Sequence, residues 1–315
     1  MPFRVIEEAG LFPVIHLIDE ESGITVEIYS QGALLNAFTI KQNGRSYNVI
    51  DGFTSPQDAV DNITAGFKSA RLSPFVCRVT AGKYKFGGHE HTINKFFLGE
   101  EAIHGLLYDA PFIVTAKWAG DKEAFVTLEY DYEKQDEGFP FNFHSKIIYT
   151  LRSDGRLSIT SEITNTGNND MPLTDGWHPY FTLGGSVNEW LFVMNTSQML
   201  EFDERLVPTG NTLQHIDFTT PKNIGETFLD NCFVLNGYKE PSCTLTNEGN
   251  GLQLTIQAVE NYPYLQVYTP PHRKSIAIEN LSGAPDAFNN GIGLIIAKPG
   301  ELYTFATDYI LHLSR

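Results

Sequence analysis

Apolar residues recur at every second position in runs spread along the whole chain, and this period constrains the fold more than any other feature. Examples are Ile24-Thr25-Val26-Glu27-Ile28, Phe125-Val126-Thr127-Leu128-Glu129-Tyr130, Leu157-Ser158-Ile159-Thr160-Ser161-Glu162-Ile163 and Leu252-Gln253-Leu254-Thr255-Ile256. A strand sends successive side chains to opposite faces, so each run makes a strip with one dry and one wet face. Antiparallel pairing satisfies the backbone of such strips, and a second sheet must cover their dry faces. Asn43-Gly44, Asp154-Gly155, Gly249-Asn250-Gly251 and Pro299-Gly300 punctuate the runs as turns. Helical periodicity is scarce. The stretch from Ser55 to Asn62 predicts one short helix, with Ser55 as N-cap and Pro56 in the first turn. No repeat of fixed period and no low-complexity linker divides the chain. The expectation is an all-β protein, a large antiparallel β-sandwich in which residues 1–315 form a single domain with its site on edges and loops.

Charge narrows the partners. Acidic residues number 38 against 22 basic, a formal net charge of −16. Such a surface repels nucleic acid and anionic membrane, and no basic block with interleaved aromatics appears. A neutral small molecule suits this field best. The N-terminus meets charge at once, in Met1-Pro2-Phe3-Arg4-Val5-Ile6-Glu7-Glu8, so no signal peptide is expected. No apolar run approaches the ~18 residues of a membrane span. Cys77, Cys232 and Cys243 are odd in number and form no Cys-x-x-Cys pair. Neither a disulfide framework nor a zinc site is indicated, and a reducing cytoplasm is the simplest location. The chain offers no phosphate-cradling glycine loop and no metal-ligand spacing, so neither cofactor nor metal is expected.

The segment Asp175-Gly176-Trp177-His178-Pro179-Tyr180-Phe181 sets a histidine among aromatic rings. Histidine exchanges protons near neutral pH, and aromatic faces offer a flat, water-poor surface to the C–H face of a sugar. A lone histidine beside Trp and Tyr is commonly a hydrogen-bonded core residue instead. Other segments also combine polar groups with strand or turn context. They are Pro74-Phe75-Val76-Cys77-Arg78-Val79, Ala102-Ile103-His104-Gly105-Leu106, Phe228-Leu229-Asp230-Asn231-Cys232-Phe233, and Ile276-Ala277-Ile278-Glu279-Asn280 followed by Ala284-Pro285-Asp286-Ala287-Phe288-Asn289. Glu279 ends an apolar run, where a carboxylate is costly unless paired or functional. By spacing alone, the favoured reading of Glu279 is a paired structural acid, of Asp230 a turn residue and of Arg78 a surface ion pair.

Taken in order, from about Arg78 to the turn at Pro299-Gly300-Glu301, these segments resemble the aldose 1-epimerase (galactose mutarotase) family. The resemblance implies a β-sandwich with an open sugar cleft. His178 matches the histidine of the family's His-x-Tyr-Phe motif and would be the general acid. Glu279 matches the glutamate preceding Pro-Asp-Ala-x-Asn and would be the general base. His104 matches the histidine of Leu-His-Gly, Asp230 the sugar-binding aspartate, and Arg78 the arginine of Asn-Arg-Ile. Gln266, in Leu265-Gln266-Val267-Tyr268-Thr269, resembles the glutamine before the family's Tyr-Thr pair. Cys77 departs from the pattern, standing where the family usually has asparagine.

The implied reaction exchanges the α and β anomers of a ring sugar. The anomeric hydroxyl loses a proton, the ring oxygen gains one, the ring opens, C1–C2 rotates and the ring recloses. One base and one acid suffice. Desolvation by Trp177, Tyr180 and Phe181 would raise a nearby carboxylate's pKa and lower that of His178, while a close carboxylate would act the other way on His178. A bell-shaped pH–rate profile is expected, and a profile flat from about pH 5 to about pH 9 would contradict the assignment. Two alternatives stand beside this reading. One is an epimerase of sugar phosphates, if Lys68, Arg71, Arg273 and Lys274 converge on the cleft. The other is a sugar-binding protein without turnover, which has no need of both Glu279 and His178.

Overall fold

A computed structural model describes residues 1–42 and 44–313 of the chain. The period-2 runs become antiparallel strands. Arg156–Asn165 alternates half-buried and buried residues along its whole length, and Leu252–Glu260 does so up to Ala258. In Glu123–Glu133 the dry face is set by Ala124, Val126 and Leu128, while Phe125 turns outward and stacks on Trp118. Gly155, Gly251 and Gly300 take positive φ at the expected turns. At the remaining turn, Asn43 lies outside the described residues.

Three sheets carry the structure. A five-stranded meander runs from Phe3–Glu8 to Arg45–Asn48. A nine-stranded sheet starts at Ile113–Ala119 and runs through Glu123–Glu133, Asn142–Arg152 and Arg156–Asn165 before crossing to the C-terminal strand Leu302–Leu313. A six-stranded sheet is ordered Tyr180–Phe181, Ile276–Leu281, Tyr264–Tyr268, Asp230–Leu235, Thr196–Phe202, Pro208–Gln214. One hydrophobic core joins them, with Val26 and Phe38 from the first, Tyr149 and Phe305 from the second, and Phe233, Leu265 and Ile278 from the third. This is the antiparallel sandwich that alternation predicts.

The expected helix is present as Pro56–Asn62, with the Ser55 hydroxyl accepting from Asp58 N at 3.1 Å. Alternation did not signal a second helix of one turn, Ala287–Asn290, after Asp286. Among the described residues no helix is long and apolar enough to cross a membrane.

Candidate active site

Register on the six-stranded sheet assembles one wall of a cleft. Gln266 lies directly opposite Glu279 on one neighbour and opposite Cys232 on the other. Asp230 stands two residues before Cys232 and therefore faces the same side. Gln266 Nε2 donates to Asp230 Oδ1 at 2.9 Å, closing the row.

The aromatic segment extends this lining beyond the Glu279 strand by the same alternation. Trp177–His178 pairs with Ala70–Arg71, and Tyr180–Phe181 pairs with Ile276–Leu281. Trp177 and Phe181 point into the core, whereas His178 and Tyr180 line the cleft. The expected aromatic platform is thus corrected. Of the three rings Tyr180 alone lines the cleft, and Phe67, Phe96, Phe202 and Tyr268 supply the remaining aromatic lining.

His178 Nε2 comes within 3.4 Å of Glu279 Oε1. Both side chains are buried, His178 at 6% exposure and Glu279 at 3%. His104 follows the strand Glu101–Ile103, and its ring stands edge-on to His178 with centroids 4.9 Å apart. His104 takes φ +63°, and its N–H donates to Cys77 O at 2.8 Å. Gly105 must follow it: φ is +73°, and a Cβ there would lie 2.5 Å from Ser73 O. Arg78 comes from a strand paired with Glu101–Ile103 and donates through Nη1 to Arg205 O at 2.8 Å.

All six residues singled out from sequence, Arg78, His104, His178, Asp230, Gln266 and Glu279, line this single cleft of about 410 Å³. Five of their buried polar atoms have no protein partner: Arg78 Nε, His104 Nδ1, His178 Nδ1, Gln266 Oε1 and Glu279 Oε2. Buried polar groups are normally paired, so this mixture of donors and acceptors is matched to a polyhydroxylated ligand. Phe67, Cys77, His104 and Leu206 line the cleft with φ between 51° and 63°, a region that disfavours side-chain-bearing residues. Strained backbone of this kind clusters at functional sites.

Electrostatics sharpen the pair. Burial pushes the Glu279 carboxyl well above the usual range; the Asp230 charge adds to this and Arg78 opposes it. Burial pushes His178 down to about 4. Burial, then His178 and Arg78, hold His104 well below its ordinary value. Asp230 is raised by burial, against Arg78 and Gln266. The 3.4 Å contact acts the other way, favouring carboxylate and imidazolium. Burial is the largest cause for both groups, and for His178 it outweighs the one bond, to its own backbone, that supports the imidazolium. Both shifts favour the neutral forms, a protonated carboxyl and an uncharged ring. His178 titrates below the pH 5–9 window expected from sequence.

The basic cluster does not converge. Arg71 is wholly buried against Asp175, Lys68 pairs with Asp51 at 2.7 Å, and Arg273 donates to Asn188 Oδ1 and to the carbonyls of Gly225 and Thr227. Lys274 is exposed, and none of the four lines the cleft. Burial keeps the Cys77 thiol protonated, with Glu279 adding to the effect. One residue of the motif set gains a role that its spacing did not signal. Asp286 accepts from Thr80 N and Oγ1, both at 2.9 Å, and its own N–H donates to Arg78 O at 2.8 Å. It clasps the Arg78 strand to the loop beyond Glu279.

Comparison with known proteins gives the family. The aldose 1-epimerase family model matches residues 13–309. The chain belongs to the aldose 1-epimerase family. It is accordingly an isomerase that exchanges sugar anomers. It is 31% identical over 241 residues to the uncharacterized protein YihR of Escherichia coli, covering 73% of this chain and 74% of that one. It is 26% identical over 267 residues to the aldose 1-epimerase of the same organism, covering 79% and 73%. Among solved structures, a galactose mutarotase-like protein from Clostridium acetobutylicum superposes with a TM-score of 0.86 at 18% identity, over 99% of both chains. The galactose 1-epimerase of Lactobacillus acidophilus gives 0.81 at 21%, over 99% and 98%. These two likenesses establish the fold.

Proposed function

We propose that this aldose 1-epimerase acts on a free, neutral hexose, with Glu279 as base and His178 as acid. The observation that carries the reading is the buried pair itself, 3.4 Å apart in a cleft rich in unpartnered donors and acceptors. Glu279 takes the proton of the anomeric hydroxyl while His178 gives one to the ring oxygen. The C1–O5 bond breaks and the aldehyde forms. After rotation about C1–C2 the ring oxygen attacks the other face of C1, Glu279 returns its proton to O1, and His178 recovers its own. The pair carries one proton throughout, on His178 with the closed ring and on Glu279 with the open chain. Sugar hydroxyls donating to Glu279 Oε2 stabilise the carboxylate and move the resting proton to His178. Arg78, Asp230 and Gln266 orient the ring, and His104 donates toward the ring oxygen.

A neutral substrate accords with the net charge of −16 and with Glu101, Asp230 and Glu279 around the cleft. Among the described residues Arg78 is its one lysine or arginine, so the sugar-phosphate alternative loses the cluster on which it rested. The buried free thiols of Cys77, Cys232 and Cys243 support a reducing compartment, the cytoplasm in the first instance. The test is anomer exchange with Glu279→Gln: turnover should fall about 100- to 10,000-fold with much of the sugar affinity kept. Undiminished turnover overturns the assignment of Glu279.

A further inference from the structure

Behind the cleft, between the sheets, lies a group the reaction does not touch. Arg71 and Asp175 are both at 0% exposure and form an ion pair. The Arg71 guanidinium also reaches Ser161 Oγ and lies over the Trp177 ring, 4.5 Å from its centroid. Tyr262 OH donates to the other Asp175 oxygen at 2.6 Å. Yet Arg71 Nε and Nη1 have no partner. An ion pair buried with bonds unmade is a poor stabiliser, and well-packed apolar residues of similar volume are often as good or better. Stability does not account for it.

Its connections do. Asp175 precedes His178 by three residues, and Ser282 follows Glu279 by three. Asp175 N donates to Ser282 Oγ at 2.8 Å, and Ser282 N donates to Asp175 O at 2.9 Å. Gly176 bridges to Leu281, so closely that a Cβ on it would lie 2.6 Å from the Leu281 side chain. Arg71 pairs with Trp177 in the ladder while Ala70 pairs with His178. Asp175 is therefore tied to the strand of His178, to the strand of Glu279 and, through Tyr262, to the approach of the strand bearing Gln266.

We propose that Arg71, Asp175 and Tyr262 are positioning residues that fix the separation of His178 and Glu279. This rests on the acid–base reading above. A guanidinium held at once by a carboxylate, a hydroxyl, a ring face and a backbone ladder leaves the His178 strand one place to sit. Misplacing a reacting group by about 1 Å costs on the order of 100-fold in rate.

The experiment compares the wild type with the combined variant Arg71→Met, Asp175→Leu, Ser161→Ala and Tyr262→Phe, which removes the whole polar group and strands none of these partners. Melting temperature, kcat and KM for α-glucose and α-galactose are measured. A folded variant with an unchanged or higher melting temperature, kcat lower by about 100-fold and KM nearly constant is the expected result. A folded variant with wild-type kcat overturns the proposal, as does one in which KM rises as steeply as kcat falls. Should the combined variant not fold, Tyr262→Phe decides, assayed well below its melting temperature. A several-fold loss confined to kcat supports positioning, and unchanged kcat refutes it. A wild type inactive on every sugar tried counts against the acid–base reading instead.

Discussion

Replacing His178 by asparagine changes the pH dependence of folding by an amount the structure sets. The folded protein holds His178 near 4, from an ordinary value of 6.5, because the ring is buried. A histidine depressed on folding contributes stability that is present above its unfolded pKa and is lost as pH falls through the folded one. The window therefore runs from about pH 6.5 down to about pH 4. At about 1.4 kcal/mol per pH unit the full loss is about 3 kcal/mol. His178→Asn has no such proton to bind. Urea unfolding of both proteins at several pH values from 7.5 to 4 gives the assay. Their difference in stability should shift by about 3 kcal/mol in favour of the variant as pH falls. Comparing the two proteins removes terms common to both, such as the carboxylates remote from the cleft. A difference independent of pH would refute the claim that the folded protein keeps His178 neutral by burial.

Glu279→Gln should show the opposite slope. A carboxyl raised on folding contributes stability below its unfolded pKa of about 4.3, and that stability is lost as pH rises through the folded value. Thermal melting should therefore find Glu279→Gln gaining on the wild type between pH 4 and pH 8 while its turnover collapses. The kcat/KM profile should be bell-shaped, because both the addition of a second proton to the pair and the loss of its single proton stop the reaction. Its acid limb belongs near pH 4, and an acid limb near 6.5 would contradict the burial of His178. Asp286→Ala leaves the Thr80 amide and hydroxyl without their acceptor, at about 1–3 kcal/mol of stability. By releasing the Arg78 strand it should raise KM more than it lowers kcat, as steady-state kinetics would show.

Alternation along single strands gave the sandwich, because period 2 is a local property. It did not give the order of strands. The contact of Asp230 with Gln266, and the placing of Gln266 opposite Glu279, depend on which strands pair and in what register. The six residues were legible through their ordered motifs, and the structure brings all of them to one cleft. Composition could not assign faces within the aromatic segment, where Trp177 and Phe181 turn to the core and His178 and Tyr180 to the cleft. Nor could it separate Arg78, in the cleft, from Arg71, sealed seven residues earlier behind it. Both are arginines in short strand segments, and what distinguishes them is the distant carboxylate of Asp175. The balance of protonation in the pair was open for the same reason, since burial is a property of the assembled fold.

Anomer exchange measured directly is the sharpest test of the account. Polarimetry of freshly dissolved α-glucose and α-galactose should show faster approach to equilibrium with the protein than without it. The acceleration should vanish in both Glu279→Gln and His178→Asn, with each variant folded. Acceleration that survives in either variant at the wild-type rate would contradict the pair as the catalytic acid and base.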